Sequence, residues 1–169
     1  MRSVCAVVLI VMLSGACSKA PPALPGWLGY APKDNSFFCH APGDWRVLED
    51  QGGAHKVSFF GPAAGPAPYS ESIAVYRHQK GGAFATPQDY ARAQAVSGAA
   101  IPAPGLKLGP IQALEFRSER SSRSGLTRSR SVLFPAEDGF FALVHTAPSP
   151  APPSGAAVFD ELLKSFRIR

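Results

Sequence analysis

Four histidines, His40, His55, His78 and His145, and a run of arginines between residues 117 and 130 are the side chains of this sequence best suited to chemistry or recognition. An imidazole binds a transition metal through one ring nitrogen, and zinc or copper asks for three or four such donors in a defined geometry. All four histidines fall near the ends of strand-like segments. If the segments around residues 57 and 75 pair as a hairpin, His55 and His78 come nearly opposite one another and supply half of a zinc or copper site. Polar side chains hydrogen-bonded to water at a sheet rim explain the same four residues. The reading therefore assigns no metal and no cofactor, and keeps His55 and His78 as the candidates for one.

The arginines are more concentrated. Residues 117–130, RSERSSRSGLTRSR, hold Arg117, Arg120, Arg123, Arg128 and Arg130 against a single glutamate. A guanidinium makes planar, bidentate contacts with phosphate or carboxylate. Five of them on two strands and their turn form a basic ribbon able to dock on anionic headgroups or on an acidic protein face. A solvated hairpin with serines between the arginines is the plainer reading. Standard catalytic arrangements are missing from the sequence: it has no glycine-rich phosphate loop, no His-Glu-x-x-His, no Cys-x-x-Cys, no Gly-x-Ser-x-Gly and no Ser-x-x-Lys. The carboxylate pairs Glu49-Asp50, Glu137-Asp138 and Asp160-Glu161 are sequence neighbours. On a strand such neighbours point to opposite faces, which makes them poor acid–base partners. No catalytic residue is assigned, and the chain reads as a non-enzyme.

The elements that must carry these residues can be read from punctuation and periodicity. Residues 18–35 are rich in proline and read as a semi-rigid extended tether, with Trp27 and Tyr30 docking back on the domain. From residue 36 the chain reads as strands: SFFCHAP, then AHKVSFFGP with Val57 and Phe59 on one face, then SESIAVYRHQ. In the last of these Ile73, Val75 and Arg77 alternate with Ala74, Tyr76 and His78. GDWRVLED reads as a turn with Trp45 filling the core. Thr86-Pro87-Gln88-Asp89 is a helix start, because Thr86 can accept a free amide, Pro87 suits the first turn and Asp89 suits the positive end of the helix dipole. Three strands in a meander follow (IQALEFRSER, LTRSRSVLFP and GFFALVHTAP), and then a helix over residues 157–165. Val158, Phe159, Leu162, Leu163 and Phe166 lie on one stripe of that helix.

The N-terminus speaks of location. Arg2 precedes an unbroken apolar run from Val4 to Leu13, about half of the roughly 20 residues a spanning helix needs. A charged start, a short apolar stretch and small residues before a cut make a secretory leader. Ser14-Gly15-Ala16 directly before Cys17 resembles the lipobox of bacterial lipoproteins. That resemblance implies cleavage after residue 16, acylation of Cys17 and retention in the membrane by its lipid. Several acyl chains at about 0.8 kcal/mol per buried CH₂ hold where one chain is marginal. Ser18, where inner-membrane lipoproteins carry Asp, implies an outer-membrane address facing the periplasm. Of the 17 Lys+Arg, Arg2 leaves with the leader, so 16 stand against 12 Asp+Glu and the mature chain carries about +4. This modest excess, in an exported protein, argues against nucleic acid as partner. Cys5 leaves with the leader and Cys17 takes the lipid, so Cys39 is alone and no internal disulfide forms. In an apolar strand it reads as a buried thiol.

The order of elements, with Ala41-Pro42 and Trp45 early and Ser165-Phe166-Arg167 late, resembles the PsbP/Mog1/DcrB-like superfamily over residues 36–169. The resemblance implies an α+β fold, an antiparallel sheet of about six strands with a mid-chain helix and a C-terminal helix packed on it. It brings no shared catalytic set. The expected organisation is a leader over 1–16, a lipidated cysteine and tether over 17–35, and one domain over 36–169. The expected function is a non-catalytic, membrane-anchored envelope module that binds an unidentified envelope protein or anionic headgroups. A small-ligand or metal-binding envelope protein is the alternative, and a hydrolase a distant third. Cys17→Ala should abolish membrane retention and leave the domain folded; fractionation of cells fed a labelled fatty acid checks this, and wild type that partitions unlabelled with soluble protein contradicts it.

Overall fold

The computed structural model describes residues 24–49, 52–63, 69–94, 107–108, 111–122, 125–150 and 155–169; the leader and Cys17 lie outside them. In chain order the elements are β1 (Trp27–Tyr30), β2 (Phe37–Pro42), β3 (Arg46–Glu49), β4 (His55–Phe60), β5 (Ser72–Gln79), α1 (Pro87–Gln94), β6 (Lys107–Leu108), β7 (Ile111–Gln112), β8 (Leu114–Ser122), β9 (Gly125–Ala136), β10 (Gly139–Pro148), α2 (Gly155–Ser165) and β11 (Arg167–Ile168). They build a main sheet ordered β3-β4-β5-β10-β9-β8, a small sheet β1-β2-β11 and the hairpin β6-β7. Every pairing is antiparallel. An α+β fold with an antiparallel six-stranded sheet and two packed helices is what the sequence predicts.

Strand membership differs from the expectation in three places. β2 belongs to the small sheet and not to the main one. The turn expected over GDWRVLED is confined to its start, where the Trp45 amide donates to the Pro42 carbonyl at 3.2 Å. Arg46–Glu49 then forms the sixth strand of the main sheet, paired with β4. It is exposed at all four residues, so it lacks the alternation that marks a half-buried strand. The stretch expected to be tether supplies β1, so the domain begins ahead of residue 36. The four residues Trp27–Tyr30, directly after Gly26 at φ +79°, suffice for this short edge strand. Trp27 and Tyr30 do dock, with the Tyr30 ring edge-on to Phe59 at 5.3 Å.

Both faces of the main sheet meet other elements. One face, carrying Val57, Phe59, Val75, Val132, Phe134 and Leu143, packs against the small sheet and α2. Trp45 and Cys39 are buried in the same core. Burial pushes the Cys39 thiol up to about 12, so it stays protonated and unreactive. The other face, with Phe116, Leu133, Phe140 and Ala142, packs against Tyr90 and Ala91 of α1. The start of α1 is capped as its sequence predicts. The Asp89 amide donates to Thr86 Oγ1 at 3.1 Å, and the Thr86 amide returns a bond to Asp89 Oδ2 at 3.1 Å.

α2 is held at three points along its length. Phe159, Leu162 and Phe166 are fully buried, and Phe166 stacks on Phe37 at 5.2 Å and on Phe134 at 5.6 Å. At its first residue, Gly155 lies so close to the Glu71 carboxylate that a Cβ would stand 2.0 Å from Oε2. The same carboxylate hydrogen-bonds His145 Nε2 at 2.7 Å, and both residues are buried. Midway, Arg130 forms a fork with Glu115, Nε to Oε1 and Nη2 to Oε2 at 3.0 Å each, and also reaches Asp160 of the helix. At its end Ser165 Oγ donates to the Leu162 carbonyl and accepts from the His40 amide, both at 2.8 Å.

These contacts set a stability order that urea unfolding can check. Phe166→Ala should cost about 3–5 kcal/mol, as large aromatic truncations in closed cores do. Arg130→Ala should cost about 3 kcal/mol, since it leaves the largely buried Glu115 with only the exposed Arg117 at 3.5 Å. Arg117→Ala, whose side chain is 71% exposed, should stay within about 0.5 kcal/mol of wild type.

Candidate functional site

The outer face of β8, β9 and β10 changes character along its length, and the change can be read in the register. Leu114 pairs with Leu133, and Leu133 with Ala142, which makes an apolar row under α1. Four residues further along, Ser118 pairs with Ser129, and Ser129 with Thr146. The last row joins Arg120 to Thr127. Because side chains alternate across a strand, residues two apart share a face. One surface therefore turns from leucine and alanine to a floor of hydroxyls. Ser129 Oγ and Thr146 Oγ1 are themselves 3.0 Å apart and hydrogen-bonded.

Among the described residues α1 covers the apolar end. Beyond it lies a cleft of about 860 Å³, within the roughly 300–1,000 Å³ of typical small-molecule sites. The hydroxyl rows make its floor, Tyr76, His78 and Tyr90 contribute aromatic lining, and Arg120 stands at the far end. Glu119 also borders the cleft through its position in β8, but its carboxylate binds Arg128 Nε at 2.6 Å. The cleft side of His78 is its most informative feature. Its ring stacks on Phe140 at 4.8 Å and lies 5.0 Å from Tyr90. Burial pushes this imidazole below its ordinary value, so it is uncharged at neutral pH. Its Nε2 is buried with no hydrogen-bond partner among the described residues, although buried polar atoms are nearly always paired.

His55 and His78 both border this cleft, but not as a facing pair. The register sets His55 against Tyr76, with an irregularity between His55 and Val57. The Tyr76 ring lies 5.4 Å from His55 and 6.2 Å from His78, and His55 Nε2 is hydrogen-bonded to Ser58 Oγ at 2.9 Å. Among the described residues no group of three His, Cys, Asp or Glu side chains is placed to hold a metal ion. His40 and His145 do not sit at a wet rim as the sequence suggests. Both are buried, His40 against the Phe38 ring at 5.0 Å and His145 in its bond with Glu71.

The five arginines do not make one ribbon. Arg117, Arg128 and Arg130 share the face that carries Glu115 and Glu119, and each has a carboxylate within 3.5 Å. Arg130 is largely withdrawn beneath α2, with its guanidinium over the Phe159 ring at 5.3 Å. Arg120 is on the opposite face, at the cleft. Arg123 lies outside the described residues, as does Cys17. The sequence did hold a signal for the cleft. Thr127, Ser129 and Ser131 alternate with Arg128 and Arg130, so the serines read as spacers between charges are one face of a strand.

The sequence matches no protein-family model, and no curated protein matches it. Solved structures do resemble it in fold. A protein from Bacteroides thetaiotaomicron VPI-5482 aligns at a TM-score of 0.58 and 14% identity over 83% of this chain. This chain spans about half of that protein, 48% of its length. A Pseudomonas aeruginosa protein of unknown function aligns at a TM-score of 0.49 and 15% identity, covering 85% of this chain and 97% of its own. The solution structure of cyanobacterial PsbP from Synechocystis sp. PCC 6803 aligns at 0.49 and 12% identity, covering 92% of this chain and 99% of its own. What the chain shares with the Bacteroides protein is the fold.

Proposed function

We propose that this chain is a lipid-anchored envelope protein, held through Cys17 and facing the periplasm, whose domain binds a small ligand without transforming it. The observation that carries the ligand-binding reading is the cleft: a polar floor of ligand size with a buried imidazole nitrogen that lacks a partner among the described residues. Of the two binding roles the sequence suggests, docking of a protein through the arginines has the weaker support. Arg117, Arg128 and Arg130 are engaged by carboxylates of the same chain. The anchor rests on the lipobox-like residues 14–17 and the leader before them, and the outer-membrane address on Ser18. We assign the domain to the PsbP/Mog1/DcrB-like superfamily on its element order and on two motifs whose side chains have structural work in this fold. Trp45 fills the main core, and Ser165 ties α2 to β2.

The test uses the full acylated chain in detergent micelles with labelled histidine. A small-molecule extract of the native envelope should move the ring resonances of His78 and leave those of His40, on the small sheet, in place. Ser129→Trp, which fills the cleft from its floor, should abolish that response while the thermal transition persists. Silence at His78 in every fraction overturns the cleft reading. Capture of an envelope protein that Arg117→Ser and Arg128→Ser together abolish would overturn it as well, in favour of arginine docking.

A further inference from the structure

The cleft's lining is specific enough to name a class of ligand. Its floor offers hydroxyls on three adjacent strands. Ser118, Ser129 and Thr146 sit in one transverse row, with Ser129 Oγ and Thr146 Oγ1 bonded to each other at 3.0 Å. Each hydroxyl both donates and accepts, so the row keeps donor and acceptor capacity beyond that bond. A partner that satisfies such a row must carry several groups able to donate and accept, close together on a rigid frame. The hydroxyls of a sugar ring have this character. An aliphatic or flat aromatic ligand would leave that remaining capacity unpaired, at the usual cost of desolvated polar groups.

The side wall agrees with the floor. The neutral ring of His78 lines the wall with its Nε2 buried and without a partner among the described residues, so the ring reports on what occupies the cleft. Tyr76 and Tyr90, beside it, offer apolar ring surface to the C–H face of a sugar, and each keeps a hydroxyl. Burial raises both phenols, so they remain protonated. One charged side chain reaches this face among the described residues. Arg120 stands at the end of the hydroxyl row, exposed, and forms no ion pair among them. A guanidinium at the end of a neutral floor selects for a single anionic group on an otherwise uncharged ligand, and its fork fits a carboxylate.

We propose that the cleft between α1 and the β8–β9–β10 face binds a saccharide bearing a carboxylate, with the Ser118–Ser129–Thr146 row contacting its hydroxyls and Arg120 its acid group. This rests on the small-ligand reading above and adds the ligand's chemistry to it.

The probes are methyl β-glucuronoside, neutral methyl β-glucoside and a non-sugar set of benzoate and adenosine, each titrated into the full acylated chain in micelles and followed at the His78 ring. The glucuronoside should bind more tightly than the glucoside. Arg120→Ala should weaken the glucuronoside about tenfold or more, the scale of one charged hydrogen bond, and leave the glucoside unchanged. Ser129→Ala combined with Thr146→Val should weaken both sugars. Arg117→Ala, on the opposite face, should alter neither. Movement of His78 with benzoate or adenosine and with neither sugar overturns the saccharide assignment while the ligand cleft stands. No movement with any probe and none with envelope extract overturns both. Equal binding of the two sugars, unaffected by Arg120→Ala, removes the carboxylate from the assignment.

Discussion

A sheet of six strands has two broad faces to cover, and among the described residues two helices pack on them. α2 is joined by the small sheet, and together they bury the larger core on one face. α1, described over Pro87–Gln94, packs on the apolar part of the other. β10 records the difference in its own burial. Phe141, Leu143, His145 and Ala147 are buried along the closed side, whereas on the other side burial weakens after Ala142 to the half-buried Val144 and Thr146. The side chains follow the cover. Beyond the described residues of α1, leucine and alanine give way to serine and threonine, since a wetted sheet surface without hydroxyls or charges would be an exposed apolar patch. Among the described residues, the cleft is the part of that face that α1 does not cover.

The closed face has its own polar content, and it is arranged so that no charge there is stranded. Arg130 is flanked by Glu115 and Asp160, and Glu71 sits between His145 and the first turn of α2. A negative group at a helix N-terminus meets the positive end of the helix dipole and its unpaired amides. Gly155 is needed for this approach, because any side chain would collide with the carboxylate. Apolar packing along the Phe159–Phe166 stripe gives α2 its affinity for the sheet. The polar contacts at Gly155, Asp160 and Ser165 fix where along the sheet it rests.

Much of the fold is legible in the residues. The alternation of Ile73, Val75 and Arg77 with Ala74, Tyr76 and His78 separates the two cores, and Thr86–Asp89 and the α2 stripe mark both helices. β1 and β3 are harder to read because edge strands need no apolar face. Their pairing comes from backbone hydrogen bonds, which leave little trace in composition. Less of the site is legible. The arginines draw notice by their charge, but whether an arginine binds a partner or its own chain depends on which carboxylates the register brings beside it. Glu115 and Asp160 are 45 residues apart in sequence and both meet Arg130. The hydroxyl row is likewise written across three strands and becomes visible only when they are laid side by side. His145 shows the same limit, since its partner Glu71 lies 74 residues away.

β8 closes one side of the main sheet, and among the described residues no strand lies beyond it. Four of its nine residues are charged, Glu115, Arg117, Glu119 and Arg120. An unpaired strand rich in charge is a poor template for another strand, because a second copy laid against it would strip water from those charges. The arginine-dense hairpin thus has a consequence that needs no partner at all. It ends the sheet, and so keeps neighbouring copies of the protein from growing into one another through their edges.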